Sequence, residues 1–207
     1  MRSRKHAQIR PSPVPVAVLL IDVLTTFQFP DGDAILQSAL AMRDALVRLK
    51  ARTRDVGIPA LYVNDNFGDW RSEKEVLMGR CLEAKGAEFV RPLLPDSEDY
   101  FVLKPMHSAF YMTPLEVLLQ HLQVEMLILT GLTSNSCIAV TAHDANMRGF
   151  DIYIPPDCSC ARSAEEHTQA LAQLEGTAGA NLRRSTSLRL PNLIRAAQIS
   201  QRAGAAL

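Results

Sequence analysis

Apolar and polar positions alternate along this chain in two distinct rhythms. Short, mostly apolar runs, Val16 to Ile21, Ala60 to Val63, Tyr100 to Lys104, Met126 to Leu129 and Phe150 to Ile154, read as strands of a buried sheet. Between them lie longer stretches with helical spacing. The clearest places Ile35, Ala39, Met42, Leu46 and Leu49 on one face, with Arg43, Asp44, Arg48 and Lys50 between them, and predicts a first helix that closes over the first strand. Gly57 ends that unit. Ser72-x-x-Glu75, Thr113-x-x-Glu116 and Ser163-x-x-Glu166 each read as a capping box at a helix start, with Pro114 at the first helical position of the second. A sixth strand is expected near Ser185 to Leu188.

Strand and helix in strict alternation predict an α/β fold: three α/β/α layers around a doubly wound, mostly parallel, Rossmann-like sheet of about six strands. The chain's 207 residues, 47% of them hydrophobic, suffice for one sizeable core. Residues 1–14 read as a basic, proline-containing tail and residues 15–207 as one domain. The tail holds four Lys or Arg within Met1 to Arg10, but Pro11, Pro13 and Pro15 precede an apolar run that Asp22 soon ends, a poor match to a secretory signal.

A net charge of zero gives no footprint for nucleic acid or for an anionic membrane surface, and no apolar stretch is long enough to span a bilayer. No G-x-G-x-x-G or G-x-x-x-x-G-K-[ST] occurs, so no nucleotide cofactor is expected. The four cysteines, at 81, 137, 158 and 160, suit a reduced, cytoplasmic protein better than a disulfide framework. Cys158-Ser159-Cys160 lacks the second half that a metal site requires.

In doubly wound sheets ligands bind beyond the carboxyl ends of the strands. Asp22, Lys104 and Cys137 all fall at or just past such ends. Cys137 follows Thr130-Gly131-Leu132-Thr133-Ser134-Asn135-Ser136 and opens a helix expected over Ile138 to Arg148, where unpaired N–H groups favour a negative charge. An ordinary thiol has a pKa near 8.5, and lowering it by about two units would stabilise the thiolate by roughly 2.7 kcal/mol. Such activation is expected at Cys137.

Three segments carry a family resemblance: Val16-Ala17-Val18-Leu19-Leu20-Ile21-Asp22, Val102-Leu103-Lys104-Pro105-Met106-His107-Ser108-Ala109-Phe110, and Gly131-Leu132-Thr133-Ser134-Asn135-Ser136-Cys137-Ile138. In this order the chain resembles the isochorismatase-like cysteine hydrolases, relatives of nicotinamidases, N-carbamoyl amidases and ureidoacrylate amidohydrolases. The resemblance implies a hydrolase with an Asp22, Lys104, Cys137 triad. It further implies an oxyanion hole from the backbone N–H groups of Thr133 and Cys137, with a cis peptide between Leu132 and Thr133. The implied reaction is cleavage of a C–N bond in a small amide, carbamoyl or ureido compound through a thioester. Two alternatives are a vinyl-ether hydrolase with Asp22 as general acid and a catalytically silent interaction module. Nicotinamidases hold a metal with an aspartate and histidines after strand two; here Asn64 to Ser72 has Asp65 but no histidine, so no metal is expected. Phe27, Trp70, Ser108, Phe110 and Tyr111 are the expected substrate contacts, with His107 left outside the catalytic set. Members of the family are commonly dimers or tetramers, so a homodimer or homotetramer is expected.

Overall fold

A computed structural model describes residues 14–71 and 73–204, so the tail before Val14 and the Ser72 cap lie outside the described residues. The strands are β1 (Val16–Ile21), β2 (Ala60–Asp65), β3 (Tyr100–Lys104), β4 (Met126–Leu132), β5 (Asp151–Tyr153) and β6 (Ser159–Cys160). The helices are α1 (Gly32–Asp55), α2 (Lys74–Glu83), α3 (Ala87–Val90), α4 (Leu115–His121), α5 (Cys137–Met147), α6 (Ala164–Ala178) and α7 (Leu190–Gly204). All pairings are parallel, in the order β3-β2-β1-β4-β5, with β6 against the end of β4.

Every residue of β1 is buried, because its side chains point alternately into two separate cores. Val16, Val18 and Leu20 pack with Leu36, Ala39, Met42, Leu46 and Leu49 of α1 and with Leu190 and Leu193 of α7. Ala17, Leu19 and Ile21 pack on the other face with Leu115 and Leu119 of α4, Ile138 and Ala142 of α5, and Leu171 and Leu174 of α6. This is the expected three-layer arrangement. The α1 stripe begins at Leu36, with Ile35 only half-buried. Among the described residues no helix is long and apolar enough to cross a membrane.

β1 and β4 lie side by side, in register from Val16 with Met126 to Ile21 with Gly131. The chain continues from β1 to β2 on one side of this pair and from β4 to β5 on the other, so the crevice that binds ligands in such folds opens at their carboxyl ends. Gly131 is required there: its φ is +106°, and a Cβ would stand 2.1 Å from the Ile21 carbonyl oxygen.

Two local expectations need correction. Ser185 to Ser187 form a 3-10 turn and no strand, because the Ser185 N–H and hydroxyl both donate to the Asp157 carboxylate at 2.7 Å. The sixth strand is Ser159–Cys160, only two residues long and too short for any period to show. At α4 the helix begins at Leu115, with Pro114 as its cap; the Thr113 hydroxyl accepts from the Leu115 N–H, while Glu116 pairs with Arg148 and does not close a box. At α6 the Ser163 hydroxyl does accept from the Glu166 N–H, at 3.2 Å.

Candidate active site

Three strand ends and one helix start converge in the crevice. Asp22 follows β1 with φ 52°, a left-handed turn that carries its carboxylate toward β2, where Oδ1 accepts from the Asp65 N–H at 2.7 Å. Its Oδ2 lies 2.8 Å from Lys104 Nζ, at the last residue of β3. Lys104 is fully buried, and its ammonium also donates to the Met106 carbonyl at 3.2 Å and to Cys137 Sγ at 3.5 Å. Asp65 Oδ2 stands farther off, 3.8 Å from the same nitrogen. The structure thus brings Asp22, Lys104 and Cys137 around one ammonium group.

Cys137 is the first residue of α5, a position whose N–H has no partner within the helix. The loop before it folds on the Thr133 carbonyl, which accepts from the Ser136 and Ile138 N–H groups at 3.1 Å, and is tied to β6 where Ser134 N–H donates to the Cys160 oxygen at 2.8 Å. The Leu132–Thr133 peptide is cis. Behind the loop, Ser134 Oγ meets His167 Nδ1 at 2.8 Å, and His167 Nε2 donates to the Pro156 carbonyl at 3.0 Å. The donation to a carbonyl fixes Nε2 as the protonated nitrogen, so in the neutral ring the Ser134 hydroxyl donates to Nδ1.

The electrostatics reverse one expectation. Burial, and next the negative Asp22 carboxylate, push the Cys137 thiol up to about 12, against the opposing pull of Lys104. The helix terminus does not lower it below an ordinary thiol, because removing a charge from water costs more than one terminus returns. Burial likewise raises the Asp22 carboxyl above its ordinary value despite Lys104. For Lys104 burial works downward, but the facing Asp22, Cys137 and Asp65 outweigh it and hold the ammonium above its ordinary value. The resting site is a protonated thiol beside a carboxylate that is more basic than usual.

The expected substrate contacts divide by burial. Trp70 and Tyr111 are 81% and 56% exposed at the rim. Phe27 belongs to the core: it is fully buried, edge-on to Phe89 at 5.7 Å, over Gly86, where a Cβ would stand 2.3 Å from its ring. Ser108 and Phe110 are buried too, and they fasten the loop after β3 to α5. The Ser108 hydroxyl donates to Asp144, the Ala109 N–H donates to Thr141 Oγ1 at 3.0 Å, and Arg148 covers the Phe110 ring at 4.7 Å. That loop therefore keeps a fixed position relative to the helix that carries Cys137.

Sequence reasoning set His107 aside, yet this loop places its Nδ1 3.7 Å from Cys137 Sγ and 3.5 Å from Ser136 Oγ. The usable signal was its position three residues past Lys104 on the same rim segment.

A family model for the isochorismatase domain matches residues 16–187. The chain belongs to the isochorismatase family. Within that hydrolase family it is 35% identical over 159 residues to the isochorismatase family protein YaaI of Bacillus subtilis (strain 168), covering 77% of this chain and 88% of the relative. It is 24% identical over 171 residues to maleamate amidohydrolase of Pseudomonas putida, covering 79% and 80% of the two chains. The solved isochorismatase family protein of Desulfovibrio vulgaris superposes with a TM-score of 0.70 at 26% identity, over 87% of this chain and 98% of that one. Nicotinamidases in this family are expected to hold a metal, but the donor set does not fit here. Asp65 Oδ1 accepts from the Phe67 N–H at 2.6 Å while Oδ2 faces Lys104, and among the described residues no group of three or more His, Cys, Asp or Glu side chains could hold an ion.

Proposed function

We propose that this isochorismatase-family protein hydrolyses a C–N bond of a small amide, carbamoyl or ureido compound through a thioester on Cys137, without a metal. The supporting observation is the shared ammonium: Lys104 Nζ lies 2.8 Å from the Asp22 carboxylate and 3.5 Å from the Cys137 sulfur. The maleamate amidohydrolase likeness points to the same bond type.

In this reading Asp22 takes the thiol proton as Sγ attacks the carbonyl carbon, so no free thiolate need accumulate. A thiol held near 12 would otherwise be almost wholly protonated at neutral pH. Burial has made Asp22 a stronger base than an ordinary carboxylate, which lowers the cost of this transfer. The oxygen that becomes negative accepts from the Thr133 and Cys137 N–H groups, each such donor being worth about 3 to 4 kcal/mol. Lys104 offsets the negative charge that moves between sulfur and carboxylate. Asp22 then passes its proton to the leaving nitrogen, the C–N bond breaks, and water later cleaves the thioester.

The test is ammonia release from a panel of short amides, N-carbamoyl and ureido compounds by wild-type and Cys137→Ala protein. A loss of about 10³-fold or more is expected, since removing a nucleophile disables the whole catalytic unit. Retained turnover would exclude the thiol. The raised Asp22 carboxyl also suits a proton donor, which favours a second reading, vinyl-ether hydrolysis. In that case Cys137→Ala protein would keep cleaving a vinyl ether while Asp22→Asn protein would not.

A further inference from the structure

We propose that His107 is a second catalytic residue, the general base that delivers water to the thioester on Cys137. This rests on the covalent reading above. The Asp22 carboxylate is engaged on both oxygens, by the Asp65 N–H at 2.7 Å and by Lys104 Nζ at 2.8 Å, and its partner Lys104 is fully buried. Beside the same sulfur the exposed His107 presents Nδ1 3.7 Å from Sγ, with neither ring nitrogen committed to an ion pair among the described residues.

Once acylated, Sγ carries the acyl carbon one covalent bond away, which puts the ring nitrogen within reach, through one water, of the atom to be attacked. The ring is held for the task. The chain immediately after it is tied to α5 through Ser108 to Asp144 and Ala109 to Thr141, and Ser136 Oγ lies 3.5 Å from Nδ1. Asp22, having given its proton to the leaving nitrogen, returns to its ion pair with Lys104.

The step balances. With Nδ1 unprotonated and Nε2 carrying the hydrogen, His107 takes a proton from water as the water oxygen bonds to the acyl carbon. The C–S bond breaks, its electron pair returns to sulfur, and the imidazolium proton passes to the thiolate. One water is consumed, one acid is released, and both side chains are restored.

The experiment uses p-nitrophenyl acetate as acyl donor with wild-type, His107→Gln, His107→Asn and Cys137→Ala proteins. Stopped-flow nitrophenolate release is combined with intact-mass detection of acetylated Cys137, and melting curves check the folds. Both His107 variants should give a stoichiometric burst at the wild-type rate, then steady turnover about 10²-fold slower, with the acetyl group persisting on Cys137. Deacylation at the wild-type rate would overturn the proposal. So would equal slowing of burst and steady state, which would assign His107 to acylation. Absence of acetylated Cys137 in the wild type and in both His107 variants would overturn the thioester reading itself, and the role of His107 with it.

Discussion

Replacing Asp22 by asparagine should make Cys137 more reactive toward an alkylating reagent and far less able to turn over an amide. In the wild type, burial and the Asp22 charge together hold the thiol near 12, while Lys104 sits 3.5 Å from the sulfur. Unit charges at that separation interact by about 5 kcal/mol at an effective dielectric of 20, an upper limit of some three to four pH units. Asparagine removes the opposing carboxylate and leaves Lys104 free to stabilise the thiolate. Burial persists, so we expect the thiol to fall by about half that limit, roughly two units. Thiolate population then rises about 100-fold, but intrinsic nucleophilicity falls with basicity, and the net gain in alkylation rate is roughly tenfold. Amide turnover should drop by about 10² to 10⁴, because the proton shuttle is gone. The assay is iodoacetamide labelling of Cys137 followed by peptide mass at several pH values, beside ammonia release. Labelling of the variant at or below the wild-type rate would refute the reasoning, since Asp22 could not then be holding the thiol proton.

The same substitution should stabilise the fold at neutral pH. A carboxyl whose folded pKa is raised contributes stability fully below its ordinary value of 3.8 and loses it as pH rises through the folded value. Asp22→Asn protein should therefore melt above wild type at pH 7, with the difference shrinking as pH falls toward 4; a constant difference would contradict this. Gly131→Ala should cost about 3 kcal/mol or more in urea unfolding, because both the backbone conformation and the Ile21 carbonyl oppose a Cβ there. A loss under about 1 kcal/mol would show that the two strands can separate locally.

The fold was legible where buried runs were long enough to carry a period. β1 and β4 each hold six or seven consecutive buried residues, and α1 shows its stripe over 24 residues. β6 was hidden because two residues have no rhythm, and the 185–187 turn was misread because its conformation is set by the carboxylate of Asp157, far away in the chain. At the site, positions were legible and environments were not. The order of Asp22, Lys104 and Cys137 along the chain predicts their meeting, but the direction of the thiol's shift depends on desolvation, which needs the packed structure. Phe27 illustrates the same limit: it follows a strand end, as a pocket wall would, yet α3 and Gly86 close over it.

The other three cysteines give the molecule an internal set of unfolding reporters. Cys81 lies on the buried face of α2, Cys160 lies in β6 and Cys158 in the turn just before it, all at 5% exposure or less. Burial pushes the Cys81 thiol up to about 11 and the other two to about 12. None can be modified while the native packing holds, so the order in which they acquire a label under mild denaturant distinguishes opening of the α2 flank from release of β6, which braces the Cys137 loop.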